Sequence, residues 1–410
     1  MTKEELIAKI QNTTLGKFIF VGPNGSGKSY MLGQIYNEVK NCIFIDEEGF
    51  TKATDKRQGY VNDDTFVYEN KYNRGLSGYQ QETEKLNIDS LNIARTLNKL
   101  MKKIPSNNKS AGIKKIENII NSILTRNING VNYFLFDEPD NYLDDKHIKY
   151  TKKIVEILTN NHKVVCIVTH NPRLLDVLNI NIDDIYILNN CLENNIVNVS
   201  IDQLKQIYLD CCDSVSEVKF FENCDPKERF FYDKKNNLID INLYNIIHSY
   251  DFYRTLFYDR VVLVEGLTEK LVLNEIDKFQ IYVNNFYFCK GKSRYPFLIK
   301  IFEQLNKDIV LIFDEDSDNK NKFAFTINSM FDGYKKIVFT PNLEDELIII
   351  EDIIKIILED DNASNRDIDK LMKNYKAEIL PFALRNDKNL LKQLENKVAQ
   401  IIDDKYETFN

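Results

Sequence analysis

Residues 17–29 read KFIFVGPNGSGKS and decide the fold of the first half of the chain. A run of buried-strand character leads directly into a glycine-rich loop, and a helix-like apolar pattern follows from Tyr30. The loop matches GxxxxGK(S/T) in full, in the strand–loop–helix order that this motif requires. Glycines let backbone N–H groups wrap a phosphate, and the helix N-terminus adds its positive dipole end. The stretch therefore predicts a P-loop that binds ATP.

The residues of this loop have distinct predicted roles. Lys28 is expected to reach the β- and γ-phosphate oxygens, and the Ser29 hydroxyl is expected to ligate Mg²⁺. The complete set of predicted ATP-binding residues in the loop is Gly22, Asn24, Gly25, Ser26, Gly27, Lys28 and Ser29.

A second predicted strand ends in acidic residues. Residues 131–138 read VNYFLFDE, and a further apolar strand ends at His170. The acidic run resembles the Walker B motif and D-loop of ABC-type ATPases. The resemblance implies that Asp137 binds at the ATP site and in the Mg²⁺ shell, and that Glu138 polarises the attacking water. It also implies that His170 is the switch histidine that senses the γ-phosphate.

Two segments compete for the ABC signature. Residues 76–80 read LSGYQ, close to the family consensus LSGGQ, whereas residues 110–115 read SAGIKK and lie about one helix before the Walker B strand. The distance between the signature and the Walker B strand is a geometric constraint, whereas similarity to the consensus sequence is not. We therefore favour Ser110 and Gly112 over Ser77.

The signature carries an implication for assembly. In ABC-type ATPases the signature serine and its helix N-terminus complete the γ-phosphate site of the opposite subunit. The resemblance therefore implies a homodimer, or a higher homo-oligomer, that closes on two ATP molecules. Gln58 is a candidate Q-loop residue, although a lone glutamine in a polar loop is usually only solvated.

A separate motif set begins in the second half. Residues 260–269 read RVVLVEGLTE and residues 309–318 read IVLIFDEDSD, with a β–α alternation between them. Parallel strands place Glu265, Asp314 and Asp316 at neighbouring carboxyl ends, where such sheets bind ligands. Grouped carboxylates repel one another unless a divalent cation lies among them. The sequence thus predicts a metal site, and an exposed acidic loop is the plainer reading of residues 314–318 alone.

The strand-end Glu-Gly followed by a strand-end Asp-x-Asp resembles the Toprim domain of topoisomerases, primases and a group of nucleases. An ABC-type ATPase followed by Toprim resembles the OLD (overcoming lysogenization defect) nucleases, named for a phage-exclusion protein. The resemblance covers residues 15 to about 350. It implies metal-dependent cleavage of nucleic acid, with DNA favoured and RNA possible, in anti-phage defence. A separate defence-system partner protein is compatible with it.

The resemblance also assigns residues of the second site. Glu265, Asp314 and Asp316 would hold Mg²⁺ or Mn²⁺, Glu269 would support them, and Glu344 is the candidate further metal ligand. A basic turn precedes the second acidic strand and is a candidate contact for the substrate backbone, or simply a solvated turn; its residues are Lys290, Lys292 and Arg294.

Other functions remain open at this point. A primase usually shows zinc-ligand cysteines, which are absent, and no tyrosine is singled out as a strand-passage nucleophile. An ATP-driven sensor or assembly module, whose Toprim domain is a scaffold or cleaves RNA such as tRNA, would keep the fold and lose DNA cleavage. The sequence leaves open whether ATP licenses or restrains cleavage.

Composition limits the classes of protein. The 410 residues are 43% hydrophobic and carry a net charge of −8, which argues against a protein that coats nucleic acid by bulk attraction. No apolar run approaches the length of a membrane helix, and we expect a cytosolic protein with no membrane partner. The seven cysteines form no CxxC pair and are expected to be reduced.

The expected fold class is α/β, with an N-terminal ABC-type P-loop ATPase domain and a C-terminal Toprim domain built on a Rossmann-like parallel sheet. The predicted divisions are an ATPase domain at 1–215, a helical connector at 216–258, a Toprim nuclease domain at 259–350 and a helical C-terminal segment at 351–410.

Overall fold

The structure is a computed structural model that describes residues 1–51, 88–105, 110–126, 128–190, 195–234, 239–276, 286–317, 322–339, 343 and 365–399. The chain forms two compact units, Met1–Asn198 and Val199–Asn410. This division falls before residue 215, the predicted end of the ATPase domain. The finer four-segment division stays a prediction.

The first unit contains six described helices and six described strands. The helices are α1 (Lys3–Gln11), α2 (Lys28–Glu38), α3 (Ile88–Met101), α4 (Ala111–Leu124), α5 (Ile148–Thr159) and α6 (Pro172–Leu178). The strands are β1 (Gly16–Val21), β2 (Cys42–Ile45), β3 (Tyr133–Asp137), β4 (Val164–Val168), β5 (Ile185–Asn190) and β6 (Asn195–Val197).

These strands form one sheet in the order β2-β3-β4-β1-β5-β6. All pairs are parallel except β5 with β6, which are antiparallel. The central strand β4 is buried at every position, as expected of a parallel strand covered on both faces. Because β4 lies between β3 and β1, the residues that follow these three strands emerge side by side at one edge.

The second unit is also α/β. Its described helices are α7 (Ile201–Ser216), α8 (Pro226–Phe231), α9 (Ile239–Ile247), α10 (Tyr250–Thr255), α11 (Leu267–Leu273), α12 (Tyr295–Gln304), α13 (Phe323–Thr326), α14 (Asn365–Asn386) and α15 (Lys388–Ala399). Its described strands are β7 (Arg260–Val264), β8 (Phe286–Phe288), β9 (Asp308–Asp314) and β10 (Lys335–Phe339).

The sheet of the second unit has the order β10-β9-β7-β8, and all its pairs are parallel. Buried valine, isoleucine and phenylalanine side chains of these strands share a core with α11, α14 and α15. Helix α7 packs on α12, where the rings of Tyr208 and Phe297 lie 4.7 Å apart in an edge-on arrangement. The predicted fold class, two α/β regions with parallel sheets, is confirmed.

Two further features concern the described part of the chain. The described cysteines are free thiols, and all except Cys224 are buried. None of the described helices combines the length and apolar character needed to cross a membrane.

Candidate functional site

The glycine-rich loop connects β1 to α2 with a backbone that needs its glycines. Gly25 and Gly27 have φ of +79° and +89°, in the left-handed region that side chains disfavour. A Cβ on Gly22 would lie 2.2 Å from the carbonyl oxygen of Leu188, so the loop passes directly against β5. Gly27 is the N-cap of α2 and offers no side-chain cap, which leaves the N–H groups of the first helical turn available to an anion.

Lys28 lies inside this loop. Its Nζ donates to the carbonyl oxygens of Gly22 at 2.9 Å and Pro23 at 2.6 Å. Desolvation lowers the pKa of Lys28 to about 8, while the charges of Glu138 and Asp137 act in the opposite direction. The ammonium is therefore held within the phosphate-wrapping loop, as its predicted role requires.

The two predicted Mg²⁺ ligands lie together. The Ser29 hydroxyl donates to Oδ1 of Asp137 at 2.9 Å, although the residues are far apart in sequence. Mg²⁺ takes oxygen ligands and usually keeps several waters, binding through one or two carboxylates and the phosphates of its substrate. This serine–aspartate pair beside Lys28 fits such an ion.

Glu138 and His170 form a second contact at this edge. His170 Nε2 lies 3.1 Å from Glu138 Oε1. Desolvation and the charge of Lys28 lower the pKa of His170, which favours the neutral imidazole. Desolvation also raises the pKa of Glu138, with Glu47 adding to the effect and Lys115 opposing it. A carboxylate made more basic in this way is suited to accept a proton from water.

Asp140 and Thr169 form a buried contact that sequence reasoning did not single out. The Thr169 hydroxyl lies 2.9 Å from Oδ1 of Asp140 and accepts the N–H of Asn171 at 3.0 Å. Burial raises the pKa of Asp140 to about 6. The contact ties the segment after β3 to the segment after β4, and the only signal in the sequence is that both residues follow predicted strands.

The favoured signature residues begin α4. Ser110 is the N-cap, and its hydroxyl accepts the N–H of Ile113. A Cβ on Gly112 would lie 2.8 Å from the carbonyl oxygen of Tyr142 and 3.0 Å from Leu143, so the start of α4 packs closely on the segment after β3. The competing Ser77 lies outside the described residues, as does Gln58. The choice between the two segments stays a prediction.

The second cluster lies at the carboxyl edge of the other sheet. Glu265 follows β7, and Asp314 ends the adjacent strand β9. The Oε2 atom of Glu265 is buried and has no hydrogen-bond partner among the described residues. Desolvation raises the pKa of Glu265 to about 7; Lys292 opposes this, while Glu269 and Asp316 add to it.

Glu269 lies on α11, and its charge adds to the raised pKa of Glu265. Its side chain is 4% exposed. A Cβ on Gly266 would lie 2.7 Å from Oε2 of Glu269, so this carboxylate folds back over the strand end. A side chain at position 266 would therefore displace the end of the Glu269 side chain.

Lys292 enters this acidic cluster from the turn after β8. The side chain is 3% exposed and donates to the carbonyl oxygen of Asp314 at 2.7 Å and to the carboxylate of Asp316. Asp316 has a φ of +58°, a strained value for a residue with a side chain. The N–H of Leu343 donates to Oδ1 of Asp314 at 3.0 Å, and the candidate ligand Glu344 lies outside the described residues.

The cluster fits a divalent cation through Glu265. A buried carboxylate oxygen with neighbouring acids is costly to ionise alone, and a bound Mg²⁺ or Mn²⁺ would remove that cost. Lys292 forms an ion pair with Asp316. Among the residues that the structure describes, no three His, Cys, Asp or Glu side chains form a ready-made metal cluster. The assignment of Glu265, Asp314 and Asp316 as ligands stays a prediction.

The raised pKa of Glu265 has a consequence for stability. An unfolded glutamate ionises near pH 4.5, whereas Glu265 in the folded chain holds its proton up to about pH 7. The free energy of unfolding therefore falls as pH rises from 4.5 to about 7, and it stays lowered above this range. We expect Glu265→Gln to raise the melting temperature of the metal-free protein at pH 8, by on the order of 5 °C, and to change it little at pH 5.

Differential scanning fluorimetry in EDTA, between pH 5 and 8.5, measures this effect. Glu217→Gln is the matched control, because Glu217 is exposed at the end of α7. If Glu265→Gln changed the melting temperature by the same amount at every pH, burial of the charged carboxylate would not be the cause of the change.

Comparisons with known proteins match parts of both units of the chain. A family model described as the Toprim domain of overcoming lysogenization defect protein-like proteins matches residues 256–316, which include β7, α11, β8 and β9. The probable ATP-dependent transporter ycf16 of Cyanidium caldarium is 24% identical over 188 residues, covering 41% of this chain and 74% of the transporter.

A second relative is elongation factor 3 of Pneumocystis carinii, which is 29% identical over 164 residues. The match covers 38% of this chain and only 14% of the elongation factor. Both relatives are ABC-type ATPases and correspond to the N-terminal region. The chain thus joins an ABC-type ATPase region to an OLD-like Toprim domain, which is the architecture of the OLD family.

Proposed function

We propose that this protein is an ATP-hydrolysing, metal-dependent endonuclease of the OLD type, which cleaves phosphodiester bonds in nucleic acid. The observation that carries the proposal is the Oε2 atom of Glu265, which is buried at a strand end, has no partner among the described residues and lies at the strand next to that of Asp314. Carboxylates in this arrangement on a Toprim domain are the ligands that a catalytic divalent cation needs. The ATP site in the same chain would control the cleavage.

At the ATP site each side chain has a role that its contacts support. Lys28 would bind the β- and γ-phosphate oxygens, while Ser29 and Asp137 would hold Mg²⁺. Glu138 would accept a proton from the attacking water, and His170 would orient the Glu138 carboxylate through their 3.1 Å contact.

At the nuclease site Glu265, Asp314 and Asp316 would hold Mg²⁺ or Mn²⁺, with Glu344 as the further ligand. A divalent cation held there supplies an activated water and neutralises the charge that develops on phosphorus. Glu269 would keep Glu265 in place from α11. Lys292 would hold the Asp314–Asp316 turn, because its ammonium bonds to both residues.

The remaining features of the proposal concern substrate and assembly. DNA is the favoured substrate and RNA the other candidate. The ATPase regions would pair in a homodimer, with Ser110 and Gly112 of each subunit facing the ATP of the other. A role in anti-phage defence in the cytoplasm, with or without a separate partner protein, completes the proposal.

One observation favours a second candidate, an ATP-driven sensor or assembly module whose Toprim domain is a scaffold. Lys292 forms an ion pair with Asp316, one of the three predicted metal ligands. This lysine gives the Asp316 carboxylate a partner within the chain, which suits a scaffold as well as a metal site. This candidate predicts that mutation of Glu265 leaves the biological phenotype intact.

A cleavage assay separates the candidates. Purified protein is incubated with plasmid DNA, linear DNA and total RNA, in Mg²⁺ or Mn²⁺, with and without ATP, and with EDTA as the negative control. We expect metal-dependent cleavage of at least one substrate. Absence of cleavage in every metal and ATP condition would refute the nuclease and leave the scaffold.

A further inference from the structure

Lys115 is a buried cation in α4 with no role in the motifs described above. Its side chain is 4% exposed, and its Nζ donates to the backbone carbonyl oxygen of Glu138 at 2.6 Å. The same atom lies 5.8 Å from the centre of the Tyr142 ring. A buried ammonium is costly without a hydrogen-bond acceptor, so this contact fixes the lysine and the carbonyl relative to each other.

Glu138 has a backbone conformation that needs such support. Its φ is +48°, in the left-handed region, which is unfavourable for a residue with a side chain. Its N–H donates to the carbonyl oxygen of Val168 at 2.9 Å, which fixes one side of the residue to β4. Lys115 fixes the other side through the carbonyl, and His170 contacts the carboxylate.

The surroundings of Lys115 explain why a cation is found there. Burial lowers the pKa of Lys115, but acids around it favour its charged form. These acids are Asp140, Glu138, Glu47 and Asp46. The lysine therefore lies between the segment after β3 and the segment after β2, and it offsets negative charge from both.

Helix α4 packs closely on both segments. Gly112 has room only for a hydrogen where it meets Tyr142, and a Cβ on Gly49 would lie 2.9 Å from the carbonyl oxygen of Lys115. Because the helix meets these segments without a gap, a displacement of α4 would pull on the carbonyl of Glu138. The buried contact thus connects the helix that begins at Ser110 to the carboxylate that activates water.

We propose that Lys115 is a positioning residue for ATP hydrolysis, which holds the peptide of Glu138 and makes the placement of its carboxylate depend on α4. The inference rests on the proposed ATP hydrolysis. Lys115 does not touch ATP in this scheme and acts through Glu138. It follows that loss of Lys115 should impair turnover of bound ATP rather than ATP binding.

The test compares Lys115→Met with the parent chain and with Lys99→Met, a matched change at an exposed lysine of α3. We expect the kcat of ATP hydrolysis to fall between tenfold and a hundredfold in Lys115→Met, because small misplacements of catalytic groups cost this much. The KM for ATP and the Kd of a fluorescent ATP analogue should stay within about twofold. Lys99→Met should behave as the parent.

A double variant distinguishes positioning from a merely structural role. If Lys115 acts through Glu138, adding Lys115→Met to Glu138→Gln should lower the residual hydrolysis no further. The inference would be overturned if the loss of ATP hydrolysis in the double variant equalled the product of the two single losses. It would also be overturned if Lys115→Met had the kcat of the parent, or if Lys115→Met lost only affinity for ATP. Lys115→Gln, which keeps a donor and lacks the charge, replaces Lys115→Met if the latter does not fold, and its kcat should be below that of the parent with the KM for ATP unchanged.

The failure of the proposed function would be visible separately. A parent chain that binds but does not hydrolyse ATP would refute the ATPase proposal and, with it, the role of Lys115. A parent that hydrolyses ATP at the same rate as Lys115→Met refutes only the role of Lys115.

Discussion

Replacement of Glu265 by alanine is expected to reduce nucleic-acid cleavage by more than about a hundredfold, since even residues that only orient metal ligands are worth about 10–100-fold. The Oε2 atom of Glu265 is buried and unpartnered among the described residues, and burial raises the pKa of its carboxyl to about 7. A divalent cation is the group that would compensate this charge. In the proposed nuclease, loss of the carboxylate would therefore remove a central ligand.

The same change should spare ATP hydrolysis. Glu265 belongs to the unit Val199–Asn410, whereas the P-loop belongs to Met1–Asn198. Cleavage and phosphate release are measured on the same preparations, with Glu217→Ala as the matched control on an exposed glutamate. Parent-like cleavage by Glu265→Ala would remove Glu265 from the metal site and would direct attention to Asp314 and Asp316.

Much of both sites could be predicted from sequence because local patterns fix where strands end. The P-loop, the acids after β3 and the histidine after β4 all follow apolar runs, and parallel pairing brings such ends to one edge. The same argument places Glu265 beside Asp314. To make these predictions, it is enough to recognise each strand in the sequence, to know where it ends and to expect parallel pairing.

The buried lysines could not be predicted in the same way. Helical spacing places Lys115, unlike Lys114, in line with the buried Ile119, but a lysine beside an apolar face usually extends its ammonium to solvent, so the pattern does not predict a buried charge. Its burial depends on the segment after β3, which is distant in sequence and turns at Glu138 with positive φ. Lys292 was interpreted as a substrate contact or a solvated turn, but its partner is the carboxylate of Asp316. Contacts of this kind are set by tertiary packing rather than by periodicity.

Replacement of Glu138 by glutamine is expected to lower ATP hydrolysis by about 10²–10⁴-fold, the usual contribution of a positioned general base. Glutamine has nearly the same shape and can keep the contact with His170, so the left-handed backbone at this position should persist. ATP binding should stay close to that of the parent, because Lys28, Ser29 and Asp137 are unchanged.

Phosphate release and equilibrium binding of a fluorescent ATP analogue measure the two effects separately. Glu38→Gln is the matched control, because Glu38 is exposed at the end of α2 on the same unit. If the ATPase regions pair around ATP, Glu138→Gln should also form a dimer that persists in ATP and dissociates in ADP, detectable by light scattering. Hydrolysis at the parent rate would mean that another group activates the water. Lost ATP affinity without a change in kcat would instead assign Glu138 to nucleotide binding, and Lys115 would then have no catalytic carboxylate to position.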